Sequence, residues 1–138
     1  MVAATMRVEV VSPERVLFSD EATQVITRTL GGGDIAFLPG HAPFLAALVE
    51  SHTRIYLADG EVQDVAVHGG FVEVSNNKVS ILSDVAELAH QIDVARARAS
   101  KQRAEAALEK EHDVECEAQL RRAHARLAAT GSLDVSSH

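Results

Sequence analysis

The chain has 138 residues, of which 46% are hydrophobic and 24% are charged, so its composition is that of a small globular protein and excludes a disordered one. Its formal net charge of −7 disfavours nonspecific binding to nucleic acid or to anionic lipid. The single cysteine, Cys116, excludes a disulfide framework and a cysteine-based metal cluster, as expected for a reducing cytoplasm.

The first part of the chain is predicted to form short antiparallel strands. Met6, Val8 and Val10 alternate with polar residues, which is the pattern of a half-buried strand. Residues 16–19 and 23–29 are two further strand candidates. With the hairpins described below, about eight short strands favour an antiparallel sandwich or a flattened barrel.

Two dipeptides predict hairpin turns between strands. Asp59-Gly60 lies between two segments with apolar residues at Ile55, Leu57, Val62 and Val65, and its two residues can adopt the positive φ of a two-residue turn. Asn76-Asn77 gives the same signal. In that second hairpin Val72 and Val74 are predicted to face Val79 and Ile81, with the intervening polar residues pointing away.

Residues 31–48 hold four of the chain's eight glycines and two of its three prolines. Pro39 and Pro43 fix φ on either side of His41 and reduce the entropy of the unfolded chain. This segment is therefore interpreted as a stiff loop. For His41 two roles stay open, a turn residue bonded to local backbone and a residue of a contact surface.

Near Ala89 the composition changes from strand formers to helix formers. A first helix is predicted to begin at residues 92–94 with Asp93 as its N-cap or first-turn acid, and a second to run over residues 113–129. The predicted apolar faces are narrow and rich in alanine, which favours a weakly held hairpin that can leave its resting place; a permanent helical cap on the sandwich is the alternative. The faces are Ile92, Ala95, Ala99 and Ala106 on the first helix, and Cys116, Leu120, Ala123 and Leu127 on the second.

The predicted organisation is therefore an antiparallel β-sandwich over residues 1–88, a two-helix hairpin over residues 89–130 and a flexible tail over residues 131–138. No motif for catalysis or metal binding is present, and Asp34, His41, His52 and His68 have no ligand-like spacing. The longest apolar run, residues 44–49, is too short to span a bilayer, and no signal peptide is expected at the N-terminus. Any membrane association is expected to be peripheral.

The arginines of the helices have two interpretations, a solvated surface laced with i,i+4 ion pairs or a set of donors for phosphate or for the carboxylates of a partner. They are Arg96, Arg98, Arg103, Arg121, Arg122 and Arg126.

Three ordered motifs give a resemblance to a known family. Residues 33–43 (GDIAFLPGHAP) are similar to the G-x-x-G-x-L-P-G-H-x-P stretch of the epsilon subunit of F-type ATP synthases. Residues 69–74 (GGFVEV) resemble the second signature of that family, and residues 92–97 (IDVARA) resemble the (I/L)-D-x-x-R-A motif that starts its first C-terminal helix. The similarity runs from about Arg7 to Leu127.

The resemblance implies a sandwich of about ten strands followed by a helical hairpin, in a non-catalytic rotor subunit. It implies that the sandwich binds the gamma subunit and the ring of c subunits on the cytoplasmic side of a bacterial inner membrane. It also implies that the hairpin folds against the sandwich, or extends towards the alpha and beta subunits of the catalytic head and restrains ATP hydrolysis.

Site residues also follow from the resemblance. The loop that includes Gly32, Gly33 and Asp34 would face the c-ring, and His41 would lie near gamma. No cofactor is required, but some bacterial members bind a regulatory ATP. The positions that match this site are Glu87, Ile92, Asp93, Arg96, Ala97, Arg122 and Arg126.

Two other functions are weighed against this one. The first is a free-standing ATP-sensing module that uses the same folded hairpin, and the second is a small hydrolase or metal-dependent enzyme. The absence of catalytic and metal-binding motifs disfavours the enzyme.

Overall fold

The computed structural model describes residues 4–110 and 113–132, and within them nine strands precede two helices. The strands are β1 (Met6–Val11), β2 (Val16–Thr29), β3 (Gly33–Phe37), β4 (Phe44–Ala47), β5 (Glu50–Leu57), β6 (Val62–His68), β7 (Phe71–Ser75), β8 (Lys78–Leu82) and β9 (Ala86–Leu88). The helices are α1 (Val94–Lys110) and α2 (Val114–Ala129), and a 3₁₀ turn (Ala89–Gln91) precedes them.

The strands follow the order β4-β7-β8-β1-β2-β5-β6-β9, and β3 pairs with the second half of β2. The sheet folds over on itself, because inward-facing side chains from its two ends share one core. Val72 and Val79 of one end pack in the same cluster as Val65 and Val67 of the other, and all four are fully buried. Met6, Val8 and Val10 are also buried, which confirms the alternation read from β1.

The prediction of two separate strands at residues 16–19 and 23–29 is wrong, because β2 is one continuous strand of 14 residues. Its first half pairs with β1 and its second half with β3, and its pairing with β5 shifts register between Ala22 and Gln24. This one strand therefore belongs to both layers of the sandwich. The described residues contain nine strands, whereas the family resemblance implied about ten. The pairing of β1 with β8 is parallel, while the other strand pairs are antiparallel.

The turn between β7 and β8 forms as the sequence predicts. Asn76 and Asn77 have φ values of 52° and 59°, and the register sets Val72 against Ile81 and Val74 against Val79. The Asn77 side chain also donates to the carbonyl of Thr5 at 2.9 Å. The turn therefore joins two strands and also forms a hydrogen bond to the residue just before β1.

The turn at Asp59-Gly60 is wider than predicted. Gly60 has a φ of 91°, while Asp59 keeps a negative φ and accepts a hydrogen bond from the amide of Glu61 at 2.8 Å. The amide of Gly60 donates to the carbonyl of Leu57, which is a turn followed by a single left-handed residue. The Asp59 side chain replaces the backbone bond that a two-residue turn would have made.

Residues 31–48 do not form one stiff loop, which corrects the interpretation from glycine and proline content. Gly31 and Gly32 lie in the turn from β2 into β3, Gly33 begins β3, and only residues 38–43 make an irregular connection before β4. Two short strands were missed because GDIAF of β3 and FLAA of β4 have no regular alternation of polar and apolar residues. Phe37, at the end of β3, is fully buried in the sandwich core.

Both helix starts follow the sequence prediction. The Asp93 carboxylate accepts from the amide of Arg96 at 3.1 Å, and the Asp113 carboxylate accepts from the amide of Glu115 at 2.8 Å. These bonds satisfy amides that the first helical turn leaves without partners. The predicted tail begins at Gly131 and Ser132, and residues 133–138 lie outside the described part of the chain.

The predicted apolar face of the first helix is wrong in phase. Ala95 and Ala106 are exposed and Ala99 is half-buried, whereas Ala97 and Ala104 are buried. Alanines occur in several phases of this helix, so periodicity cannot select one. On α2 the prediction holds for Ala123 and Leu127, while Cys116 and Leu120 are half-buried.

Candidate functional site

The α2 helix lies between α1 and the outer surface of β5 and β6. On its sheet side, Ala125 and Ala129 form a small apolar cluster with Ala66 of β6 and with Ile92. Ile92 is the largest side chain in this cluster, and each methyl group that the alanines bury contributes at most about 0.8 kcal/mol. The apolar contact that seats the hairpin on the sheet is therefore thin.

Ion pairs surround this apolar cluster. Arg126 donates through Nε to Oε1 of Glu87 on β9 at 2.7 Å. Arg121 Nε lies 3.4 Å from Glu50 on β5, and Arg122 lies 4.0 Å from the same carboxylate. These side chains are partly exposed, and such pairs contribute about 0–1 kcal/mol each. We call this group, the alanine cluster with Glu50, Glu87 and the α2 arginines, the hairpin seat.

His68 lies inside the hairpin seat, at the end of β6. Its side chain is only 2% exposed, and its Nε2 lies 3.1 Å from the same Oε1 of Glu87 that Arg126 contacts. Burial lowers the pKa of His68, and the charge of Arg126 lowers it further, while Glu87 and Glu50 act in the opposite direction. The spacing of His68 along the chain gave no sign of this buried position, which depends on its place in β6.

The residues matched to an ATP site are only partly brought together. Glu87 and Arg126 are bonded to each other, and Arg122 donates to Glu115 at 2.8 Å. Asp93 caps α1, and Arg96 is exposed in the first turn of that helix. Ile92 and Ala97 are buried. A phosphate would have to compete with carboxylates of the chain itself for Arg122 and Arg126.

Two open cavities border α2, and of the residues matched to the ATP site only Ile92 lines either. One cavity of about 950 Å³ lies beside β2 and β5, where Arg28, Arg54, Tyr56 and Arg121 line it. The other, of about 530 Å³, lies near the 3₁₀ turn and includes Ile92. The sequence does carry a signal for the larger cavity. Polar residues at alternate positions of β5 indicate a face of that strand that points away from the sandwich core.

The four predicted contact residues lie in two separate places. Gly32 lies in the turn between β2 and β3, Gly33 begins β3, and Asp34 on β3 is paired with Arg28 at 2.9 Å. The hydrogen bond from Arg28 lowers the pKa of Asp34. His41 contacts the Ala42 carbonyl through Nδ1 at 2.7 Å, and its ring packs edge-on against Phe37 at 5.0 Å. The local bonding expected for His41 is therefore present, and its contact with a partner stays a prediction.

An apolar stripe crosses the outer surface of the other layer. Ala47 is opposite Phe71, Phe71 opposite Leu82, Leu82 opposite Val11, and Val11 opposite Val16, so the five side chains share one face of the sheet. Phe71 is 53% exposed and Val16 is 55% exposed. Leu82 is also exposed while Ala47 and Val11 are half-buried, so the stripe is a candidate interaction surface.

The described residues hold no group of three or more His, Cys, Asp or Glu side chains arranged for a metal ion. Within the same residues, no helix has the length and apolarity needed to cross a bilayer.

Two family models together match nearly the whole chain. The beta-sandwich domain of the ATP synthase delta/epsilon chain matches residues 5–89, and the long alpha-helix domain of the same chain matches residues 90–131. The chain belongs to the ATP synthase delta/epsilon chain family.

Individual relatives agree with the family match. The ATP synthase epsilon chain of Streptomyces avermitilis is 43% identical over 130 residues, which cover 94% of this chain and 98% of that one. The ATP synthase epsilon chain of Symbiobacterium thermophilum is 42% identical over 135 residues, which cover 95% of this chain and 96% of that one. The resemblance read from three motifs is thus confirmed along the chain.

Solved structures support the fold at low identity. A chain of the Euglena gracilis mitochondrial ATP synthase, in an OSCP/F1/c-ring structure, matches with a TM-score of 0.71 and 18% identity, covering 100% of this chain and 84% of that one. A chain of the Tetrahymena thermophila mitochondrial ATP synthase, in a central stalk and c-ring structure, matches with a TM-score of 0.57 and 16% identity. The match covers 96% of this chain and 100% of that one. At this identity the likeness concerns the fold alone.

Proposed function

We propose that this member of the delta/epsilon chain family is a non-catalytic rotor subunit of a bacterial F-type ATP synthase. It couples rotation of the c-ring to the catalytic head through gamma and restrains ATP hydrolysis through its hairpin. The observation that carries the proposal is that both domains of the epsilon chain are present in one chain, with the hairpin seated weakly on the sandwich. The subunit would lie on the cytoplasmic side of the membrane, bound only through the complex.

The apolar stripe supports docking on gamma. It lies on the layer that α2 leaves uncovered, since α2 contacts β5 and β6. A rotor part must transmit torque through a stiff contact, and a rigid sheet face that buries Phe71 and Leu82 gives a well-packed one. The turn that contains Gly32, with Gly33 and Asp34 at the start of β3, lies at the far end of β2 and is proposed to contact the c-ring.

The hairpin seat supports the regulatory role. A helix that must leave the sheet cannot be held by a large apolar contact, and the described contact consists of three alanines, one isoleucine and partly exposed ion pairs. In its extended form the hairpin would reach the alpha and beta subunits. The basic end of α2 (Arg121, Arg122 and Arg126) would then be free to bind carboxylates there.

A regulatory ATP is a separate proposal. Its phosphates would take Arg122 from Glu115 and Arg126 from Glu87, and Glu87, Asp93 and Arg96 would complete the site. Calorimetric titration of ATP into the full chain, compared with Arg96→Ala, tests it. Saturable binding that this substitution weakens about tenfold or more would support it, since a charge-assisted bond to phosphate contributes about 1.5–3 kcal/mol. Absence of heat in the unaltered chain would overturn it.

Replacing Phe71 by glutamate is expected to weaken binding to gamma at least tenfold, because a carboxylate would have to be desolvated at the centre of a packed interface. Binding of purified gamma to the full chain, followed by biolayer interferometry, measures the change. Val62→Glu is the matched control, because Val62 is also exposed on a strand but lies outside the stripe. Unchanged binding by Phe71→Glu would reject the stripe as the gamma contact, whereas absence of gamma binding by the unsubstituted chain would favour the free-standing ATP sensor.

A further inference from the structure

We propose that His68 makes the hairpin seat sensitive to protons, so that acidification releases α2 from the sheet. The inference deepens the proposed function, since it concerns the same hairpin movement. It stands on the position of one imidazole beneath α2, between two carboxylates of the sheet and one arginine of the helix.

The geometry assigns the neutral form of His68 to the closed hairpin. Nε2 lies 3.1 Å from Glu87 Oε1, so a neutral ring that carries its proton there donates a hydrogen bond. Nδ1 is buried and has no hydrogen-bond partner within the described part of the chain. A second proton would therefore sit on a buried nitrogen without an acceptor, which disfavours the charged ring.

The groups around His68 come from three elements besides its own strand. Glu50 of β5 is its cross-strand partner, Glu87 of β9 accepts from it, and Arg126 of α2 shares the Glu87 oxygen. The two carboxylates favour a charged imidazole, while burial and Arg126 oppose it. The two contributions that oppose the charged imidazole, burial and Arg126, both depend on α2, because the helix supplies Arg126 and covers the outer face of β6.

Release of α2 thus reverses the balance at His68. The ring becomes hydrated, Arg126 leaves with the helix, and Glu50 and Glu87 stay on the sheet beside it. The pKa of His68 in the released state is then at least the ordinary value of about 6.5, while in the closed state it is lower. The released state binds more protons between these two values, so closure is fully favoured above about pH 6.5 and is lost progressively as the pH falls.

The test follows hairpin position and His68 ionisation in the full chain. Donor and acceptor dyes at Glu14→Cys and Gln119→Cys, two exposed positions on the sandwich and on α2, report the separation in a Cys116→Ser background. The ratio of released to closed hairpin is expected to rise between pH 7.5 and pH 5.5, and linkage to one proton with an ordinary released-state pKa sets an upper limit of about tenfold on that rise.

His68→Gln keeps an amide donor for Glu87 but cannot titrate, so its ratio is expected to stay constant over the same range. His41→Gln, which removes a histidine distant from α2 in the sheet order, should behave as the unsubstituted chain. Equal pH dependence in the His68→Gln and unsubstituted chains would overturn the proposal. Because that variant could fold poorly, an NMR titration of the unsubstituted chain gives a second readout, and a His68 pKa at or above 6.5 with α2 closed would also overturn it.

The outcomes separate this inference from the proposed function. If the hairpin position depends on pH but deletion of the hairpin leaves ATP hydrolysis unchanged, the His68 switch is supported and the restraint of hydrolysis is rejected. A hairpin that restrains hydrolysis but whose position is independent of pH would reject only the switch.

Discussion

Gly70→Ala is expected to prevent stable folding of the sandwich, with a loss of at least about 3 kcal/mol in the free energy of unfolding. Gly70 has a φ of 106°, and a Cβ there would collide with the carbonyl oxygen of Leu82 and press on the backbone of Ser83. Backbone atoms of a paired strand cannot move aside as a flexible side chain does. The collision and the strained φ therefore both act against the variant.

Gly69→Ala is the matched control for this prediction. Gly69 also has a positive φ, of 85°, but a Cβ at that position meets nothing within 4 Å. Only backbone strain remains, so the expected loss is about 1–2 kcal/mol. Urea unfolding followed by circular dichroism compares the two. Similar small losses for both variants would show that the close approach of Gly70 to β8 does not constrain the fold.

Ala125→Glu is expected to detach α2 while the sandwich stays folded. Ala125 is 3% exposed and packs against Ala66, so the new carboxylate would be buried without a partner. Such burial costs several kcal/mol, which exceeds what the thin alanine contact offers. Hydrogen exchange in the full chain is expected to show α2 amides losing protection by about 100-fold or more, since several kcal/mol correspond to at least that factor.

Ala106→Glu provides the comparison for Ala125→Glu. It introduces the same side chain on an exposed position of α1, where no apolar contact is lost. Protection of α2 should then remain, and protection of β7 and β8 should be unchanged in both variants. Retention of α2 protection in Ala125→Glu would mean that the helix is held by more than the hairpin seat.

The sandwich could be read from the sequence where side chains alternate over at least five residues. β1, β7 and β8 have this pattern, and Asn76-Asn77 fixes the register of the last two. β3 and β4 were missed because they lack such an alternation, and β9 because it has only three residues. The continuity of β2 was also hidden, because Ser19, Asp20 and Glu21 near its midpoint are all polar.

The helices and the hairpin seat were less predictable. Alanine in several phases of α1 leaves periodicity without a single apolar face, and burial then depends on where α2 lies. Glu50, His68 and Glu87 are far apart in sequence and meet only because β5, β6 and β9 are neighbours. Glu87 and Arg126 were named from the family resemblance, whereas the buried position of His68 needed the sheet register.

The most direct measurement of the central claim is ATP hydrolysis by the reconstituted complex with the full chain or with a chain that ends at Gln91. This end point keeps β9, whose Leu88 is buried in the sandwich core. Removal of the hairpin is expected to raise the rate of ATP hydrolysis severalfold, while the shortened chain still binds gamma. Equal hydrolysis with the two chains, both bound to gamma, would contradict a restraining role for the hairpin.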